Sequence, residues 1–174
     1  KDSLEGVILV PHLPNYEAVI GTGIEAPEDI SFFEEQAASG HLKEFLANEL
    51  PGFDYILFDA PVGIGLITSE LLSASDRFIH VINCRANTVK SVGRLLQLFV
   101  WIRKTINPNL KLAGILITMF DDKSSVEKHY LKLLRSRLPA SLFFKTNIPY
   151  DALYDMASVK ALPVSKIAGG GELA

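Results

Sequence analysis

The stretch "GFDYILFDAPVGIG", residues 52–65, decides the fold class of this chain. A run of apolar and aromatic residues leads directly to Asp59, and a proline and two glycines follow at once. The run predicts a buried strand, whereas Pro61, Gly63 and Gly65 predict a tight loop. The sequence thus ends a buried strand in a carboxylate, and packing alone does not explain such an ending.

Apolar runs of strand length recur along the chain. Together with the first they predict strands near residues 6–10, 54–59, 78–83, 112–118 and 142–146. They are continuous rather than alternating, as expected of strands covered on both faces. Apolar residues spaced by three and four predict helical segments between them, within residues 30–50, 88–106 and 124–138.

Strands that alternate with helices of this length imply βαβ units and right-handed crossovers. We therefore predict an α/β fold with a doubly wound, mostly parallel sheet that carries helices on both faces. At 174 residues and 48% hydrophobic, the chain suffices for one well-packed core, and we expect a single domain over residues 1–174.

Composition excludes several classes of protein. The net charge of −3 gives no overall attraction to nucleic acid, and the single cysteine, Cys84, excludes an internal disulfide framework. One thiol fits a reducing compartment, so we expect a cytoplasmic protein. No apolar run approaches the roughly 18 residues that a membrane-spanning helix needs, and no signal-peptide pattern is recognisable.

Asp59 has a functional interpretation and a structural one. Ligands of open parallel sheets bind beyond the carboxyl ends of the strands, and an apolar strand that ends in aspartate suits the water shell of Mg²⁺ beside a γ-phosphate. The glycines that follow would let backbone amides approach an anion. In the alternative interpretation, Asp59 caps the following helix and the glycines only turn the chain.

A longer pattern supports the functional interpretation, because residues 53–122 resemble the second half of the ParA/Soj branch of the ParA/MinD ATPases. That branch has a strand ending in D-x-P, then G-L-L-T, and later N-P-x-L and G-V-L-L-T-M-F-D. The matching positions are Asp59, Pro61, Gly65, Leu66, Thr68, "ELLSASD" at 70–76, "NC" at 83–84, "NPNL" at 107–110, "GILITMFD" at 114–121 and "FFKTNIPYD" at 143–151.

The resemblance implies roles for several residues. Asp59 would hold Mg²⁺ through water and act in catalysis, while Pro61 and Gly63 would belong to the loop that senses the γ-phosphate. Thr118 would lie near the adenine, although strand-end hydroxyls often bind the backbone instead. Residues from Pro149 to Asp151 would flank the base through their backbone.

The family's glycine-rich P-loop, with its two lysines, would precede the matched residues, and this chain carries none. Tyr150 stands where the family has arginine. We therefore expect an ATPase only if the intact protein supplies the P-loop, and a degenerate, non-catalytic interaction module otherwise.

For the intact protein the resemblance implies ATP/ADP and Mg²⁺ as ligands and a homodimer with the nucleotides at its interface. It also implies non-specific DNA binding, a ParB-like activating partner, and a role in positioning a plasmid, chromosome or other cargo. The basic residues of 103–111 and 128–137 suit DNA or an ordinary solvated helix face. His80 is expected to be a hydrogen-bonded core or interface residue, and Cys84 a structural buried thiol.

Overall fold

The computed structural model describes residues 8–9, 19–20, 27–50, 52–61, 63–167, 169 and 171. These residues fall into two compact units, Lys1–Ala74 and Ser75–Ala174, each with its own internal packing.

The first unit is mostly helical. A short antiparallel pair, β1 (Ile8–Leu9) and β2 (Val19–Ile20), precedes three helices, α1 (Pro27–Ser39), α2 (Leu42–Glu49) and α3 (Leu66–Ala74). Both α1 and α2 contact α3, and the Glu70 carboxylate of α3 accepts a hydrogen bond of 3.1 Å from the backbone N–H of Leu42. This bond satisfies one of the amides that the start of a helix leaves without a partner.

The second unit is built on two parallel strands, β3 (Arg77–Ile82) and β4 (Lys111–Ile117), joined by the long helix α4 (Ala86–Thr105). Their register runs from Arg77 opposite Lys111 to Ile82 opposite Ile117, with an irregularity between Phe78 and Ile79. Two helices follow, α5 (Ser125–Arg137) and α6 (Ala152–Val159), along with single 3₁₀ turns at Ala140–Leu142 and Val164–Lys166.

Residues 143–150 run alongside β4 as an irregular third strand. Isolated parallel bridges join Ile115 to Phe143 and Phe120 to Pro149. Between them, the backbone N–H of Ile148 donates to the carbonyl of Ile117 at 2.8 Å. The carboxyl end of β4 therefore has a paired neighbour on each side, β3 and this segment.

The core of the second unit lies on one face of the sheet, beneath α4 and α5. Its members are buried aliphatic side chains and one thiol: Ile82, Cys84, Val92, Ile115, Ile117, Leu131 and Leu134. The amphipathic spacing of both helices explains the arrangement, because each presents residues three and four apart to the strands. Ser124 caps α5, and its hydroxyl accepts a 3.2 Å hydrogen bond from the Glu127 N–H.

The predicted α/β class is confirmed by the parallel β3–β4 pair, and the predicted strands 78–83 and 112–118 are confirmed almost to the residue. The helices predicted within 88–106 and 124–138 are confirmed as α4 and α5. The segment 30–50 forms two helices rather than one, because the chain breaks at Gly40, whose φ of +71° suits glycine.

Three predicted strands fare differently. Residues 53–61 form no ladder with any described residue, and the side chains of Tyr55 and Leu57 are 86% and 91% exposed, so the prediction of a buried strand at 54–59 is wrong for this structure. An apolar run indicates burial but does not supply the neighbouring strand that a ladder requires. Of the predicted strand 142–146 only Phe143 pairs, and of 6–10 only β1 lies within the described residues.

Gly114 generates a stability prediction, because an ideal Cβ added there would lie 2.7 Å from Cε2 of Phe144. Replacing Gly114 with valine should therefore destabilise the protein by about 1–3 kcal/mol through overpacking. Chemical denaturation monitored by circular dichroism measures the change in the free energy of unfolding.

Gly93, in the middle of α4, is the matched control, because a Cβ there meets nothing within 4 Å. Gly93→Ala should stabilise by about 0.5–1 kcal/mol through helix propensity. Adding Phe144→Ala to Gly114→Val should make the two costs non-additive. Additive losses would show that the ring does not occupy the space above Gly114.

Candidate functional site

Asp59 lies in the extended segment that precedes α3, and its side chain is exposed to solvent. The helix begins at Leu66, seven positions after Asp59. Asp59 therefore does not occupy the N-cap position, which directly precedes the first helical residue. The structural alternative from the sequence, in which this carboxylate caps the next helix, is therefore not supported. An exposed carboxylate before a glycine turn is instead available to a ligand.

The turn between Asp59 and α3 is attached to the first turn of the helix. Gly63 adopts φ of +125°, a region that side-chain-bearing residues avoid, and it is solvent-exposed. The nearly buried Thr68 hydroxyl donates a 3.1 Å hydrogen bond to the carbonyl of Gly63, and Ser69 donates from its hydroxyl to Gly65 at 3.0 Å. Any movement of the turn is thus coupled to α3.

A second group of predicted site residues lies at the carboxyl ends of the strands in the other unit. Thr118 directly follows β4, and its N–H donates to the carbonyl of Ile82 at 2.8 Å. Its hydroxyl makes a longer bond of 3.4 Å to the same carbonyl. This is the backbone interaction that the sequence left open as an alternative to base contact, and the oxygen keeps acceptor capacity.

Pro149 lies on the segment beside β4 and is bridged to Phe120, two residues beyond Thr118. The backbones of 118–120 and 148–150 are joined by hydrogen bonds of 3.1 Å, from Phe120 N–H to Ile148 and from Tyr150 N–H to Phe120. The structure therefore brings two of the predicted base-flanking residues onto adjacent strand ends.

Asp151 is the N-cap of α6. Its carboxylate accepts a 2.8 Å hydrogen bond from the Leu153 N–H, and its extended backbone is typical of that position. One carboxylate oxygen is thereby committed to the helix, whereas the prediction placed only the backbone of this segment near a base. Asp59, Pro61 and Gly63 belong to Lys1–Ala74, while Thr118, Pro149 and Asp151 belong to Ser75–Ala174.

Sequence reasoning missed two features at the same strand ends. Asn83 follows β3, and its side-chain oxygen accepts a 2.6 Å hydrogen bond from the Thr88 hydroxyl. Met119 follows Thr118 with φ of +51°, an uncommon conformation for methionine, and its side chain is 48% exposed. The position of Asn83 directly after an apolar strand could have indicated this residue from the sequence. Nothing in the sequence indicates the positive φ of Met119.

Burial shifts the pKa of two groups in the second unit. Burial lowers the pKa of His80 on β3, and its Nε2 is buried without a hydrogen-bond partner in the described structure. Burial, followed by the charge of Glu127, raises the pKa of the Cys84 thiol to about 11, against the opposing effect of Arg135. The buried thiol agrees with the structural role predicted for Cys84, whereas the unpartnered Nε2 departs from the hydrogen-bonded role predicted for His80.

The described residues bring together no cluster of three or more histidine, cysteine, aspartate or glutamate side chains that could hold a metal ion. A magnesium site at Asp59 would therefore draw on one protein carboxylate, which would hold the ion through water, with its direct ligands supplied by water, phosphate or other groups. Such a ligand set is common for Mg²⁺, which retains several waters and is bound through one or two carboxylates plus phosphates. The hard oxygen donors of an exposed carboxylate fit that ion.

Comparison with known proteins identifies the family. A family model described as an AAA domain, AAA_31, matches residues 2–112, which is more than half of the chain. The chain belongs to this family, among the ParA/MinD P-loop ATPases. The resemblance seen in residues 53–122 is thereby confirmed.

The curated relatives include "Chromosome partitioning protein ParA" of Myxococcus xanthus, 29% identical over 91 residues that make up 52% of this chain and 32% of that protein. They also include "Chromosome-partitioning ATPase Soj" of Treponema pallidum, 26% identical over 136 residues, or 78% of this chain and 53% of that protein. The chain spans about a third to a half of the length of these two relatives.

Among solved structures, cobyrinic acid a,c-diamide synthase from Mycobacterium smegmatis with bound ATP analog and magnesium is similar to this chain. The TM-score is 0.69 at 22% identity, and the match covers 84% of this chain and 59% of that one. This likeness confirms the predicted fold class.

Within the described residues, none of the helices combines the length and the apolar character that crossing a bilayer requires.

The cap at Asp151 generates one prediction. Asp151→Ala should cost about 1 kcal/mol of stability because the Leu153 N–H loses its acceptor, whereas Asp151→Asn should retain most of the bond and most of the stability. Thermal and chemical denaturation measure the difference, with the exposed Asp155 replaced by alanine as the control. Equal losses for alanine and asparagine would contradict the capping role.

His80 generates a pH-dependent prediction. Because its pKa is lowered in the folded state, the unfolded chain binds the proton more readily. Its contribution to stability is thus complete above about pH 6.5, the ordinary pKa of histidine, and is lost as the pH falls below that value.

Replacing His80 with leucine should remove this part of the pH dependence below about pH 6.5. The measurement is the free energy of unfolding at several pH values. Replacing His129, which is exposed on α5, is the matched control and should leave the slope in place. An unchanged slope in the His80 variant would refute the assignment.

Proposed function

We propose that this chain is part of a ParA-type ATPase that dimerises with ATP and positions DNA or another intracellular cargo. The observation that carries the proposal is the match of the family model across residues 2–112, which include Asp59 and the glycine turn. The names of the relatives, a chromosome partitioning protein and a chromosome-partitioning ATPase, support the same class of function.

In this proposal Asp59 is the acidic residue that orients the water shell of Mg²⁺ next to the phosphates of ATP. The ion would supply neutralisation of charge on the transferred phosphoryl group. The exposure of the carboxylate supports the assignment, because it leaves the side chain accessible to a ligand.

Pro61 and Gly63 would form the phosphate-sensing turn. The Thr68 hydroxyl bond to the Gly63 carbonyl gives that turn a direct attachment to α3, so a change of the turn on loss of phosphate would be felt by the helix. An order–disorder or positional switch of this kind is a recurrent device in nucleotide hydrolases.

In the second unit, Thr118 and the backbone from Pro149 to Asp151 would lie beside the adenine. Their adjacency on neighbouring strand ends supports this assignment, since ligands of parallel sheets bind beyond those ends. Asp151 would contribute by fixing the start of α6, and the base would be read through main-chain groups.

The family match runs across the boundary between the two compact units, which supports the proposal that both belong to one P-loop NTPase-like domain. A homodimer, non-specific DNA binding and a ParB-like activator in the cytoplasm complete the proposal. They rest on the family alone.

The decisive experiment is Asp59→Ala in the full-length protein. Hydrolysis should fall by orders of magnitude because the metal loses the carboxylate that fixes its water shell, while thermal stability without nucleotide should change little. Turnover per folded molecule and melting temperature are measured on the same sample, with and without Mg²⁺.

Asp54→Ala is the matched control, since Asp54 is an exposed aspartate of the same segment. It should preserve both turnover and stability. Retained turnover in the Asp59 variant together with lost stability would overturn the catalytic assignment. A full-length protein without nucleotide hydrolysis would instead favour the non-catalytic interaction module.

A further inference from the structure

Helix α4 carries a second apolar stripe, of which Leu96 packs against the core of its own unit and the other residues lie farther out on the surface. A shallow groove on its surface is lined by residues at helical spacing: Gly93, Leu96, Gln97, Val100, Trp101 and Lys104. The core-facing side of the helix is a different set, in which Val92 is 3% exposed and Ile102 is fully buried. Leu96 forms the floor of the groove against the core, whereas Val100 and Trp101 are exposed to contact something else.

Two large apolar side chains dominate the groove. Val100 is 46% exposed and Trp101 is 52% exposed. Gly93, two turns earlier, has nothing within 4 Å of the position a Cβ would take, so the groove has an open notch at that end. The surface thus offers an exposed aromatic side chain for contact and an open space for an apolar side chain of another helix.

The charge of the helix identifies the kind of partner. All four ionisable side chains of α4 are basic, namely Lys90, Arg94, Arg103 and Lys104, and the helix contains no acidic residue. Lys104 itself lines the groove, and Lys90 and Arg94 lie within one turn of Gly93. An apolar segment flanked by carboxylates would complement this surface.

We propose that the groove of α4 is a docking site for an acidic amphipathic helix of a partner protein. The apolar face of that helix would contact Val100 and Trp101, with one side chain in the notch at Gly93 and its carboxylates beside Lys104, Lys90 and Arg94. The inference is independent of nucleotide and of the proposed ATPase activity.

Other occupants fit less well. A second copy that packed α4 antiparallel on itself about Gln97 would bring Lys104 close to Lys90 of the other molecule, and like charges repel. DNA phosphates would contact the basic residues, but they would not pack against the exposed Trp101. A lipid surface takes a helix whose apolar face is separate from its cationic face, whereas Lys104 lies among the apolar residues of the groove.

Trp101 gives a direct measurement, because it is the single tryptophan of the chain. The probe is a synthetic peptide of about four helical turns, without tryptophan or tyrosine, that carries a leucine stripe and glutamates on the other faces. Its addition to the full chain should shift Trp101 emission to the blue and give a saturable titration. Two control peptides carry the same stripe with lysines, or the same glutamates with serines in the stripe.

Two variants test the geometry. Gly93→Leu fills the notch and Lys104→Glu reverses a groove charge, and each should weaken peptide binding by at least about tenfold. Gly93→Ala, with a much smaller side chain, and Lys132→Glu, an exposed charge reversal on α5, should bind almost as the parent does. Circular dichroism establishes that all four variants are folded.

The proposal is supported if only the acidic amphipathic peptide binds and the two groove variants lose it. Equal binding of the lysine peptide would overturn it, as would the absence of binding by any peptide. Equal Trp101 shifts with duplex DNA or with vesicles of anionic phospholipid would also overturn it, in favour of a nucleic-acid or lipid surface. Unchanged affinity of the Gly93→Leu variant for the acidic peptide would show that the peptide does not bind in the groove.

Discussion

The parallel pairing of β3 with β4 is the constraint on which the rest of the second unit depends. Parallel strands cannot be joined by a tight turn, so the long helix α4 must cross from one to the other and cover the sheet. That crossing places Val92 over Ile115 and Ile117 in one core. It also makes both strands end at the same edge, where Asn83 and Thr118 are found.

The sequence predicts the elements whose partners lie close in the chain. The helical spacing within 88–106 and 124–138 and the apolar runs at 78–83 and 112–118 correspond to real elements, because amphipathic spacing and continuous burial are local expressions of the core. The run at 54–59 is equally apolar but forms no ladder among the described residues. Whether a strand pairs depends on a neighbour elsewhere in the chain, which composition does not specify.

For the candidate site too, the sequence indicated which residues matter but not how they are arranged. Residue type and family pattern indicated Asp59, Gly63 and Thr118, since carboxylates, glycines and strand-end hydroxyls have few uses at the ends of parallel strands. They could not show that the Asp151 carboxylate binds the Leu153 N–H, or that Thr68 anchors Gly63. Those bonds depend on where each helix begins, because the first helical residue determines which backbone groups lie within reach of the side chain.

Because Cys84 is buried, the reactivity of its thiol can be used to measure how often this part of the fold opens. The only thiol of the chain is 1% exposed, and burial raises its pKa to about 11, so both access and the thiolate form are suppressed in the folded state. Its reaction with an alkylating reagent therefore requires the sheet and its two covering helices to separate. The labelling rate, compared with that of the denatured chain, reports the free energy of that opening without any engineered probe.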